Sequence, residues 1–220
     1  MEATRSPHPY VPRDLKLPGY VPNLLSQLSI LGIYGIASVL VAAFIWFISG
    51  MPFPLLDKVL MCWWAFTGLT HMILESYYLF SPEFYKDESA FYLSEVWKEY
   101  SKGDSRYAGR DSVIVTLEIL AVVLVGPASL LAVYAIAKGK LYSYILQFAV
   151  SLIHLCGTAV YFITALLEGD DFAASPFYYY FYFVVINSFW IVIPTAICIR
   201  CWKKICAAFN NQGQKKVKSR

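Results

Sequence analysis

His71, Glu75 and Glu118 stand in stretches of sequence otherwise apolar enough to lie in lipid. An ionisable group placed there costs at least about 2.5 kcal/mol even on a lenient insertion scale, so three together require a purpose. His71 and Glu75 are four residues apart, which on a helix puts both side chains on one face, shared with Trp64 and Gly68. A carboxyl group kept from water favours its neutral, proton-donating form, and an imidazole is its natural exchange partner. Asn187 and Trp190 add an amide and an indole whose face stabilises a cation in a dry cavity. Such a set supports proton transfer to and from a lipophilic molecule, or transport of protons or cations. Transport needs sites strung across the membrane or an inverted repeat. Here the acids fall at one depth and the chain has no internal repeat. Interhelical hydrogen bonding accounts for a lone Asn187 or His154, but it does not call for two carboxylates.

Elements able to position these residues follow from composition. Of 220 residues 58% are hydrophobic and only 15% charged, against roughly a quarter charged in soluble domains, which excludes a soluble domain, a disordered chain or a basic nucleic-acid binder. The chain is therefore read as all-α, a polytopic membrane helix bundle of five transmembrane helices at about 28–49, 59–80, 112–136, 142–167 and 177–199. Spanning strands take ~10 residues and alternate, and these runs do neither. Glu75 lies near the end of the second span and Glu118 near the start of the third, so the connection between them sets both at similar depth. Gln147, Ser151, His154, Thr158 and Tyr161 fall on one stripe of the fourth span.

Three regions are expected: a polar arm over 1–27, the bundle over 28–199 with a surface loop at 81–111, and a basic tail over 200–220. The proline-rich arm lacks the apolar core of a signal peptide. The loop is expected to carry a short amphipathic helix at 92–100 on the membrane surface, and its segment 92–110 reads either as a lid or as a plain surface helix. Arg200, Lys203, Lys204, Lys215, Lys216, Lys218 and Arg220, without a single acid, place the tail in the cytoplasm and, through five crossings, the arm on the opposite side. Lys216 and Lys218 match a Lys-x-Lys-x-x signal for retrieval to the endoplasmic reticulum. Cys198 and Cys201 form a C-x-x-C pair with no second pair to complete a zinc site, and they read as unpaired thiols. No glycine-rich phosphate loop is present.

Several strings together carry a resemblance. They are His8-Pro9-Tyr10, Gly68-Leu69-Thr70-His71 with Glu75, Trp97-Lys98-Glu99-Tyr100, Lys102-Gly103-Asp104-Ser105-Arg106-Tyr107, Gly126-Pro127, and Asn187 with Trp190. Over nearly its whole length the chain resembles the emopamil-binding protein family of sterol Δ8–Δ7 isomerases, especially its plant members. The resemblance implies a multi-pass protein of the endoplasmic reticulum membrane that moves the B-ring double bond of a sterol, with no cofactor and no metal. It implies protonation at C9, positive charge at C8 and loss of a proton from C7. It assigns His71 and Glu75 as the acid unit, Glu118 as base or counter-charge, Asn187 as orienter and Trp190 as cation stabiliser. Its partners are a sterol substrate, cationic amphiphilic ligands and membrane lipid, with a second copy of the chain as a candidate and no nucleic acid. The alternative is a member that binds sterols or cationic amphiphiles without turning them over. Family members resembling this chain carry threonine three residues after the glutamate of the third span, where Ala121 stands here.

Overall fold

The computed structural model describes residues 8–50 and 53–218, with side chains as far as residue 210. Every regular element among them is helical, as the length and apolarity of the runs require. Helix α1 (Gln27–Ile48) begins where Ser26 accepts the Ser29 N–H at 3.1 Å, and its outer face is exposed apolar side chains suited to lipid. The second span is one continuous helix in three parts: α2 (Leu55–Leu69), a π-helical segment (Thr70–Glu75) and α3 (Ser76–Phe80). The third comprises α5 (Ser112–Leu120), a π segment (Ala121–Val125) and α6 (Gly126–Ala137), started by the Asp111 carboxylate over the N–H groups of Val113 and Ile114. The fourth is α7 (Ser143–Leu167); the fifth joins a π segment (Tyr178–Ile186) to α8 (Asn187–Lys218). Between the second and third spans lies α4 (Tyr92–Tyr100).

Four of the five expected spans are long and apolar enough to cross a membrane; the remaining one, from Leu55 to Phe80, is less apolar because Asp57, Lys58, His71 and Glu75 lie in it. The protein is thus a polytopic helix bundle. In it α7 packs along α8, and α2 along both α1 and α6. The fifth span continues past residue 199 as unbroken helix, so the basic segment extends α8 rather than forming a separate tail. The lysine retrieval motif runs beyond the described residues at 219 and 220.

The loop between the second and third spans departs most from expectation. Helix α4 has the expected bounds, yet it is packed into the end of the bundle instead of lying on its surface, with Ser94, Glu95, Trp97, Lys98 and Glu99 buried. Its charges are neutralised within the turn: Lys98 meets Glu95 at 3.1 Å and Lys102 meets Glu99 at 2.6 Å. Glu95 also accepts the backbone N–H groups of Leu24 and Leu25 at 2.7 and 2.8 Å, tying the N-terminal arm to α4. Tyr10, wholly buried, donates to the Lys98 carbonyl at 3.0 Å. From the other side, Ser105 N–H bonds to the Phe172 carbonyl at 3.2 Å and Ala174 N–H to that of Lys102 at 2.8 Å. Arm, loop and the connection before α8 therefore form one cap, cored by Tyr10, Tyr20, Tyr78, Trp97 and Tyr107. A second apolar cluster, with Leu60, Met61, Trp64, Val150 and Ile197, fills the opposite end of the bundle.

Candidate functional site

Between cap and far core lies a cavity of about 550 Å³. Its walls are mostly apolar, and His71, Glu75, Glu118, Asn187 and Trp190 all line it. The five residues singled out from the sequence are therefore brought together on one chamber, from three separate spans.

Each arrives through a π-helical segment. His71 and Glu75 lie inside one, Glu118 stands one turn before the second, and Asn187 directly follows the third. A π turn widens the helix, leaves backbone carbonyls short of partners and displaces the faces on either side, which is why such turns concentrate at working sites. Asn187 closes the third: its amide donates to the carbonyls of Phe183 and Tyr182 at 2.9 and 3.2 Å, and to the Tyr100 hydroxyl at 3.1 Å. The second ends at Gly126 and Pro127, where the proline could not have donated to an α-helical ladder. Gly126 also lets the helix carrying His71 approach closely, since a Cβ there would lie 3.1 Å from His71 Cβ and 3.0 Å from Met72 Sδ.

The polar groups form two short rows. In one, His71 Nδ1 lies 2.6 Å from Glu75 Oε2 and His71 Nε2 lies 3.1 Å from His154 Nε2. In the other, the Tyr107 hydroxyl donates to Glu118 Oε1 at 2.9 Å, leaving the buried Oε2 without a partner. Burial, reinforced by the Glu118 charge, pushes the Tyr107 phenol well above its ordinary range, so its hydroxyl remains a donor. Trp190 packs its indole against both imidazoles, 5.5 Å from His71 and 5.2 Å from His154 between ring centroids, and against Trp63 at 5.4 Å. Proton donors and acceptors thus stand beside an apolar wall and an aromatic ring, an arrangement chemically suited to moving protons to and from a bound apolar molecule.

Two members of this set were not foreseen as site residues. His154 belongs to the polar stripe on the fourth span, but spacing alone does not say which neighbour it meets. Tyr107 sits in the loop, and nothing in its own position announces that the loop folds inward. The internally paired Glu95–Lys98 and Glu99–Lys102 were the available signal, since acids that are to be buried need partners at hand. Ala121 lies on the cavity wall three residues from Glu118 and offers no hydroxyl there.

Fold and site together define a class: a polytopic bundle of membrane-type helices with a largely apolar cavity lined by two carboxyl groups, two imidazoles and an indole. Residues 92–201 match the EXPERA (EXPanded EBP superfamily) family model, and the chain belongs to that family. It is similar to a probable 3-beta-hydroxysteroid-Delta(8),Delta(7)-isomerase of Arabidopsis thaliana, 60% identical over 216 residues that cover 97% of each chain. The rat 3-beta-hydroxysteroid-Delta(8),Delta(7)-isomerase is 36% identical over 222 residues, 97% of this chain and 96% of its own. A protoglabretal synthase of Ailanthus altissima is 56% identical over 216 residues, covering 97% and 99%.

Proposed function

We propose that this protein is a 3-beta-hydroxysteroid Δ8,Δ7-isomerase of sterol biosynthesis, working in the endoplasmic reticulum membrane. A proton bonds to C9 through the C8–C9 π pair, leaving positive charge at C8; the C7–H bond then breaks and its electron pair becomes the C7–C8 double bond. The proton count of the substrate is unchanged. Glu75 with His71 forms the acid unit, and Glu118 is the base or counter-charge. Its Oε2, buried and without a protein partner, supports that role. Trp190 offers its π face to the cation. Asn187 acts by holding the π segment and the Tyr100 hydroxyl in place. The observation that carries the reading is the convergence of two carboxylates, an imidazole and an indole on one apolar chamber.

Expression in a yeast strain lacking its own Δ8–Δ7 isomerase is expected to restore Δ7 sterols, and His71→Ala and Glu118→Gln are expected to abolish the rescue. No rescue by a well-expressed chain, joined with tight binding of cationic amphiphiles, would instead identify a binding protein without turnover. A second reading has its own support in the Ailanthus relative, nearly as similar as the Arabidopsis one. On that reading the same acid–base set acts on the precursor of protoglabretal, and product analysis with that precursor separates the two.

A further inference from the structure

His71 has both ring nitrogens engaged, one by Glu75 and one by His154. The two imidazole rings lie edge to edge, with centroids 5.4 Å apart and planes tilted by 28°, so the facing Nε2 atoms at 3.1 Å share one proton between them. Which histidine owns that proton is decided by what surrounds the outer nitrogens. On the His71 side, Glu75 Oε2 lies 2.6 Å from Nδ1, a hydrogen bond in which Nδ1 either donates to a carboxyl oxygen or accepts from a protonated one. On the His154 side, Nδ1 is buried with no partner, and a proton there would be a donor stranded in a dry site. The His154 side selects one arrangement and the Glu75 contact accommodates it: His154 carries its proton on Nε2, and His71 carries its proton on Nδ1. His154 is itself held in place, stacked on Trp190 at 5.2 Å and on Trp64 at 6.3 Å, with Trp64 in turn anchored by its N–H to Gln147 Oε1 at 3.2 Å.

We propose that His154 is a positioning residue: its Nε2–H donates to His71 Nε2 and locks His71 in the tautomer that turns its ring proton onto Glu75. This deepens the reading of the chamber as an acid–base centre and rests on it. His71 then acts on substrate only through Glu75, because its second nitrogen is occupied: with Oε2 accepting the His71 Nδ1–H, the proton that Glu75 gives to the substrate is the one carried on Oε1. Without the lock, His71 is free to turn over to the Nε2–H tautomer, which offers Glu75 a lone pair in place of a proton.

The test compares His154→Leu with His154→Gln in the full chain, assayed for Δ8–Δ7 isomerisation in yeast microsomes. Glutamine keeps an N–H donor within reach of His71 and cannot relay a proton; leucine fills the space with no donor. Leucine is expected to lower kcat about 10²-fold, the lower end of what positioned proton transfer contributes. Its KM should stay within about twofold, and glutamine should recover most of kcat. A second measurement does not depend on activity. The chain has three histidines, His8, His71 and His154, so ¹⁵N-histidine NMR of the wild-type protein in detergent can assign each ring. His71 is expected to be protonated at Nδ1 in the wild type and the glutamine variant, and mixed in the leucine variant. Wild-type kcat in the leucine variant, a glutamine variant as impaired as leucine, or His71 protonated at Nε2 in the wild type would each overturn the proposal. Should leucine prevent folding, the wild-type spectrum decides alone. If the wild type isomerises no sterol, the functional reading fails, and the spectrum still settles the tautomer.

Discussion

Tyr107 and Glu118 are joined by a 2.9 Å hydrogen bond between a loop residue and an acid inside the third span. The cap thus reaches into the membrane chamber and orients one of its two carboxyl groups. The same carboxyl group adjoins Glu75 across the cavity. Tyr107→Phe removes that bond and little else, since the ring keeps its packing on Trp97 and Tyr100. A bond to a group that bears charge in turnover is worth about 1.5–3 kcal/mol, so kcat is expected to fall by roughly 10- to 100-fold while the melting temperature changes little. Sterol turnover and a detergent thermal melt, run on the same preparation, check both halves.

Ala121→Thr would return a hydroxyl to the cavity wall three residues from Glu118. Because Tyr107 already serves Glu118, the gain is expected to be under about threefold in kcat, less than ~1 kcal/mol. In a Tyr107→Phe background the same change should help more. Equal gains in both backgrounds would show that the threonine acts elsewhere.

Glu95 and Lys98 make a fully buried pair at 3.1 Å, and Glu95 carries two backbone N–H groups of the arm as well. Removing one partner strands the other charge, at a cost of about 3–5 kcal/mol. Glu95→Leu and Lys98→Met are each expected to lower the melting temperature by about 6 °C or more, and the double variant by less than the two added together. Strict additivity in the melts would deny the coupling.

Gly103 packs its Cα face against the third π segment, where an added Cβ would lie 2.5 Å from Tyr182 Cβ. Neither atom can swing away, so Gly103→Ala is expected to cost about 1–3 kcal/mol by overpacking, read as a lower melting temperature. At Gly126 the neighbours are His71 Cβ and the flexible Met72. Gly126→Ala should therefore lower kcat more than stability, by pushing the segment that carries His71 and Glu75 away from the span that carries Glu118.

The amino-acid sequence by itself determined the spans and the shared depth of the acids. Long apolar runs must be helical in lipid to satisfy their own backbone, and a charged residue within such a run must face inward. It also determined the bounds of α4, because local turn signals and i, i+3 charge pairs act along the chain. Only the tertiary structure decided that α4 enters the bundle, that Tyr107 reaches Glu118, and that His154 meets His71. Those contacts join residues on different elements, and their registry depends on three π turns. A π turn adds one residue to a helix ladder whose composition differs little from ordinary helix, and it swings every side chain beyond it to a new face. Periodicity read as 3.6 residues per turn does not carry that rotation, whereas packing around the cavity does.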